Sequence, residues 1–219
     1  MILCIDTCTA CAGIALVDSK KCHSYLPLTT ERHAEQILPT IDKVLKKAKV
    51  RPADLTGVLV IKGPGSFTSL RVGIAVANQF AHQLKIPIVG LRTDEWWMYR
   101  TDKRPVVYLQ SMNREEVYAC VISTEVTSIA RNGVEKSLPK ILNFQAISPL
   151  QSPSATSGRN DIKYLGPLTQ DHCRTLPSHF QLVPNLKSPQ DTWLAAAGVW
   201  TPWLTEKPAC FFMSRPWRV

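Results

Sequence analysis

The sequence has no apolar run approaching the roughly 20 residues needed to cross a bilayer. Its first strand-like segment, Met1 to Ile5, has no charged leader and is too short for a signal peptide. These absences predict a cytoplasmic protein without membrane contact. Acidic residues are few, 17 against 26 Lys and Arg, and the net charge of +9 suggests an anionic partner such as nucleic acid. The excess forms no basic tail, because 15 basic residues face 9 acidic ones before Pro105 and 11 face 8 after it. There is no repeat at a fixed short period, which excludes a solenoid. Cysteine comes to seven, an odd number, with Cys4, Cys11, Cys120 and Cys210 inside apolar stretches, so a disulfide framework is not indicated. What is there is ordinary: 219 residues, 45% apolar and 20% charged, enough for one large domain or two small ones and too apolar for a disordered chain.

The first quarter alternates strand and helix signatures. Ile2 to Ile5, Ala12 to Val17 and His23 to Leu26 read as three strands joined by hairpins. From Glu31 to Ala48 the apolar positions Ala34, Ile37, Leu38, Ile41, Val44, Leu45 and Ala48 recur at three and four, an amphipathic helix with Thr30 as N-cap. Pro39 inside it removes one backbone bond and predicts a kink or break near Glu35. Gly57 to Ile61 is a buried strand, Ser66 to Leu84 a second helix and Ile86 to Leu91 another strand, giving βββαβαβ. A short helix follows around Asp94 to Tyr99, and the tryptophans near helix ends are expected in the core or at a subdomain interface. Pro105 opens a second β-rich module, so the expected lobes are 1–104 and 105–219, with the last segment able to pack back on the first lobe. In the second module Val106 to Gln110, Val117 to Ser123 and Ile162 to Leu165 read as strands. Ser148 to Asp161 reads as a surface loop, and Thr192 to Trp200 as a helix begun by Ser188 or Asp191.

Several groups could carry chemistry. Lys62 to Arg71 runs from a strand through Gly63-Pro64-Gly65 into a helix that Ser66 or Thr68 can cap. That geometry suits an anion, and it equally suits a tightly packed turn. It is neither a Walker A sequence nor a dinucleotide fingerprint. Asp6 and Thr7, with Thr9 nearby, end the first strand. They suit a hydrated magnesium ion beside a phosphate, and they equally suit an Asx-type turn. Cys8 and Cys11 have C-x-x-C spacing without the further ligands that zinc needs, and they lie between strands rather than at a helix start. The five histidines include no H-x-x-x-H pair, so a helical metal site is absent. Lys43, Lys46, Lys47, Lys49 and Arg51 cluster at the end of the first helix, as a dipole-compensated end or as an RNA contact. The second helix, with Gly73, Ala75, Ala77 and Ala81 among Val72, Ile74, Val76 and Phe80, is apolar nearly all round. It therefore predicts burial on more than one side, the second cover being a partner subunit.

The segments IDT, ERHAEQILP, GPGSFTSLRVGIAVANQFA and IPIVGL, in this order, resemble the TsaB (YeaZ) family over about the first 95 residues, with Ser69 where that family carries glycine. The resemblance implies an actin-like, hexokinase-type ATPase (ASKHA) α/β fold in two related lobes with mixed sheets. It also implies a non-catalytic role beside a TsaD-type transferase that makes N6-threonylcarbamoyladenosine at position 37 of tRNAs reading A-starting codons. Partner contact would then run through the first two helices, at Arg32, His33, Gln36, Ile37, Thr40, Leu70, Arg71, Ile74, Ala77 and Asn78. A TsaE-type ATPase would join, tRNA would enter through the complex, and a homodimer would form through the same helices when the partner is absent. No cofactor or metal is expected on this chain alone, ATP and metal being expected on partner subunits. The competing reading is a small actin-fold ATP-dependent enzyme using Asp6, Thr7, Gly63, Gly65 and Ser66.

Overall fold

The computed structural model describes residues 1–29, 33–102, 106–111, 116–122, 140–143, 162–176 and 180–200. These fall into two compact units, one made of Met1–Arg100 with residues 187–200, the other within Thr101–Leu186. In the first unit β1 (Ile2–Asp6), β2 (Gly13–Val17) and β3 (Cys22–Pro27) form an antiparallel meander. Helix α1 (His33–Ala48), a short 3-10 turn (Pro52–Asp54), β4 (Gly57–Ile61), α2 (Phe67–Leu84), β5 (Ile88–Leu91) and α3 (Thr93–Met98) follow. The sheet order is β3-β2-β1-β4-β5, with β4 parallel to β1 and β5 parallel to β4. Both crossovers, β3-α1-β4 and β4-α2-β5, step the same way along this sheet. Right-handed connection therefore sets α1 and α2 parallel, side by side on one face, and the two helices touch.

That face is the main core: Leu3, Ile5, Ile14, Leu16, Val58 and Val60 of the strands meet Ile37, Ile41, Ile74 and Ala77 of the helices. Each such Val, Leu or Ile side chain taken from water contributes about 1.5–3 kcal/mol. The other face of β2 and β3 is covered by the last described helix, α5 (Pro189–Trp200), which also packs on α3. There Trp193 lies 5.6 Å from Trp96 between ring centroids. Helix α5 starts with proline in its first turn, and Ser188 caps it, its hydroxyl accepting the Asp191 N–H at 3.2 Å and donating to the Asp191 carboxylate at 2.7 Å.

The second unit repeats the strand pattern. β6 (Val106–Ser111), β7 (Glu116–Ile122), β8 (Lys140–Asn143), β9 (Ile162–Leu165), α4 (Gln170–Thr175) and β10 (Phe180–Leu182) build a sheet in the order β10-β9-β6-β7-β8. Its first three strands are antiparallel neighbours, and β9 and β10 add in parallel. This is the connectivity of the first unit over again, around a smaller core of Val107, Leu109, Val117, Ala119, Tyr164 and Phe180. The chain thus has the two related mixed sheets of an actin-like α/β fold.

Two local expectations need correction, and three short elements were not foreseen. Helix α1 runs unbroken from His33 to Ala48 with Pro39 inside it, so the expected break is absent and the cost of one lost bond is borne by the packing of its apolar face. Ser66 is the N-cap of α2 but makes no side-chain cap bond. Short β8, β10 and α4 carry too few residues for periodicity to reveal them. The Thr30 cap and the loop Ser148 to Asp161 lie outside the described residues.

Both long helices end with a lysine in the left-handed conformation, Lys49 at φ 56° and Lys85 at φ 54°. The closing bonds are of Schellman type: Val50 N–H reaches the Leu45 carbonyl and Ile86 N–H the Ala81 carbonyl, each at 3.0 Å. Glycine is the residue that takes this seat without steric cost. Lys49→Gly and Lys85→Gly are each expected to stabilise the fold by about 1 kcal/mol, raising Tm by roughly 2–4 °C in thermal unfolding.

Candidate functional site

Asp6 ends β1 fully buried, and both of its oxygens are engaged within its own turn. Oδ1 accepts the N–H groups of Cys8 and Thr9, each at 3.0 Å, and Oδ2 accepts the Thr9 hydroxyl. Burial pushes its carboxyl above the usual range, against the pull of the hydrogen bonds from Thr9 and Cys8. Thr7 is committed as well: its hydroxyl donates to the Ser69 carbonyl at 2.7 Å. A methyl group at Gly73 would sit 2.3 Å from the Thr7 Oγ1, so α2 can approach β1 only with glycine there.

The glycine turn is packed in the same manner. Gly63 has φ +100°, and a Cβ on Gly65 would lie 2.9 Å from the Cys8 side chain. The Thr93 hydroxyl donates to the Pro64 carbonyl at 2.5 Å, and the Thr93 N–H to the Gly63 carbonyl at 3.0 Å. A side chain added at Gly65 would meet Cys8, and three hydrogen bonds from Cys8 and Thr9 already engage the Asp6 carboxylate. The Asx turn and the close-packed turn are the arrangements present.

Cys8 and Cys11 are free thiols. Burial pushes the Cys8 thiol well up; burial also raises that of Cys11, with Arg100 opposing. The Arg100 guanidinium donates to the Cys11 Sγ at 3.0 Å and to the Lys187 carbonyl at 3.1 and 3.0 Å, and it lies 4.8 Å from the Trp97 ring centre. Thiols held protonated are poor nucleophiles. No group of three or more metal-ligating side chains occurs among the described residues, nor is any described helix long and apolar enough to cross a membrane.

On the helix pair, the expected interface residues divide. Ile37, Leu70, Ile74 and Ala77 face the chain's own core and are buried there, so the expectation that they meet a partner is corrected. Gln36, Thr40 and Asn78 are half-buried. The Gln36 amide bonds back to Thr29, Nε2 donating to the hydroxyl at 2.6 Å, and Thr40 lines a groove of about 440 Å³ between α1 and the end of β3. Arg71 is exposed, its guanidinium 3.9 Å over the Phe67 ring. Arg32 and the side chain of His33 lie outside the described residues.

The outward face instead presents Leu38, 56% exposed, and Phe67, 43% exposed. Both are large apolar groups next to the core stripe, and a strict reading of which stripe positions face the sheet would have singled them out. The outward row of α2, Phe67, Arg71, Ala75, Gln79 and His82, is mixed rather than apolar all round.

Asp6→Ala orphans two backbone donors and should cost about 2–4 kcal/mol of stability in chemical unfolding. Asp6→Asn, which keeps an acceptor for them, should cost less than half as much.

A family described as tRNA N6-adenosine threonylcarbamoyltransferase, TsaD, matches residues 26–165. The tRNA threonylcarbamoyladenosine biosynthesis protein TsaB of Buchnera aphidicola subsp. Schizaphis graminum is 40% identical over 93 residues, 42% of this chain and 44% of that protein. TsaB of Escherichia coli K12 is 32% identical over 92 residues, 42% of this chain and 40% of that protein. TsaB of Bacillus subtilis 168 is 35% identical over 95 residues, 43% of this chain and 42% of that protein. The match thus spans less than half the length of these relatives. Among solved structures, YeaZ from Pseudomonas aeruginosa superposes with a TM-score of 0.68 at 18% identity over 92% of each chain, a likeness of fold. The chain belongs to the TsaD family, and the members it is similar to are the TsaB (YeaZ) proteins.

Proposed function

We propose that this chain is a non-catalytic partner and activator of a TsaD-type transferase, acting in the formation of N6-threonylcarbamoyladenosine at position 37 of tRNAs that read A-starting codons. A TsaE-type ATPase completes the assembly, and ATP and metal are held on the partner subunits. The observation that carries this reading is the parallel α1–α2 pair. Its inner sides fill the core, while its outer side presents Leu38 and the Phe67–Arg71 pair to solvent. Aromatic and arginine side chains are the groups that dominate binding energy when a partner buries them. The family match supports the choice of partner. The competing ATP-dependent enzyme would need Asp6, Thr7 and the glycine turn for its phosphates, and these are spent on hydrogen bonds and packing within the chain.

The face holds either a partner's helices or a second copy of this chain, and purified components separate the two. Wild type should co-elute with a TsaD-type subunit in gel filtration. A Leu38→Asp, Phe67→Asp variant should keep its Tm and bind on the order of 100-fold more weakly, since two anchors of roughly 1.4 kcal/mol each are lost. Absence of a wild-type complex, or a variant complex of unchanged affinity, would overturn the reading.

A further inference from the structure

Topology gathers cations that the sequence keeps apart. The first residues of β1, β4 and β5 lie at one edge of the first sheet, together with the end of β2 and the start of β3, by the pairings Ile2 with Val17, Ile2 with Gly57, Val58 with Ile88 and Val17 with Cys22. Both helices run opposite to β1, β4 and β5, so their C-termini arrive at the same edge. The β2–β3 turn brings Lys20 and Lys21, the end of α1 brings Lys47 and Lys49, and the end of α2 brings Lys85. All five are exposed, and none has a carboxylate partner among the described residues.

The carboxylates nearby are already engaged. Asp18 accepts the N–H groups of Lys20 and Lys21 at 2.7 and 2.8 Å and holds His23 at 2.5 Å. Asp42 pairs with Lys46 at 2.7 Å, Asp54 with Arg51 at 2.9 Å, and Asp191 accepts from Ser188. Lys46 and Arg51 therefore contribute less free charge than their place in the sequence suggests. A second, independent observation concerns Lys49 and Lys85, which occupy left-handed helix ends where glycine would be unstrained.

We propose that this edge binds the phosphate backbone of RNA. The choice of RNA over another polyanion rests on the tRNA-modifying role proposed above. The edge is lysine-rich and without exposed aromatic rings among its named residues, so it reads charge and spacing rather than base identity. Lysine here acts as a set of point charges, each displacing counterions from the backbone.

The test uses the full chain and an unmodified tRNA transcript, with affinity followed by fluorescence anisotropy from 50 to 300 mM KCl. Wild type should bind with a steep loss of affinity as salt rises. The Lys49→Gly, Lys85→Gly variant should bind about tenfold or more weakly at 100 mM salt. Its log–log salt slope should be shallower by about 2, equally for two tRNAs of unrelated sequence, and its Tm should be no lower than wild type. A Lys20→Gln, Lys21→Gln, Lys47→Gln variant should show the same direction of change without altering either helix end. Wild-type affinity in both variants, no tRNA binding at 50 mM salt, or binding to anionic phospholipid vesicles or to a poly-glutamate peptide but not to tRNA would each overturn the proposal. Co-elution of these variants with a TsaD-type subunit should stay intact. Failure here is thereby separated from failure of the partner role.

Discussion

The contact of Thr7 with Gly73 is the constraint on which the first unit turns. A hydroxyl bonded to the Ser69 carbonyl, lying against a helix residue that has no side chain, brings the β1–β2 turn down onto the start of α2. With that approach set, Cys8 fills the space beside Gly65, and Thr93 closes over the Gly63–Pro64 segment from the other side. The beginning of α2 is therefore held by three strand ends at once. The rotation that buries Leu70, Ile74 and Ala77 leaves Phe67 and Arg71 outside. Packing at the turn and exposure on the helix are two results of one geometry.

This arrangement uses Asp6, Thr7 and the glycine turn for cohesion within the chain. A buried aspartate that accepts three hydrogen bonds within four residues is a turn element with a desolvation cost offset locally. What remains available on the first unit lies away from the turn, on the outer sides of two parallel helices and along the edge where they end. These surfaces have different chemistry. The first combines apolar groups with one arginine, and the second carries lysines with no paired acid among the described residues, the chemistries of a protein contact and of a polyanion contact respectively.

Long periodic elements were legible from residue spacing because their pattern reports burial on a single continuous face. The three opening strands, both long helices and the strands after them lie close to their expected places. The elements that escaped, β8, β10 and α4, are four, three and six residues long and have no period to display. The candidate site was legible in its parts and not in its use. Asp6, Thr7 and the glycine turn were evident as a group with two meanings. Which meaning holds depended on whether Cys8 and Thr9 would occupy the same volume, a question of three-dimensional distance. For the helices, the stripe located the buried side but counted Leu38 with it, because a stripe more than 100° wide shades into the exposed face.

The sequence by itself determined the class of fold, the order of the first seven elements and the family resemblance, all of which rest on local pattern and chain order. Tertiary structure alone decided that Asp6 is enclosed and that Ile74 and Ala77 belong to the chain's own core. It also decided that Lys20, Lys21, Lys49 and Lys85 share one edge. The physical reason is the same throughout: hydrogen-bond satisfaction, close packing and summed charge depend on separations in space. Residues as far apart in the chain as Thr7 and Ser69 meet, and Lys20 and Lys85 come to one end of the same sheet, only once the strands have paired and the crossovers have turned.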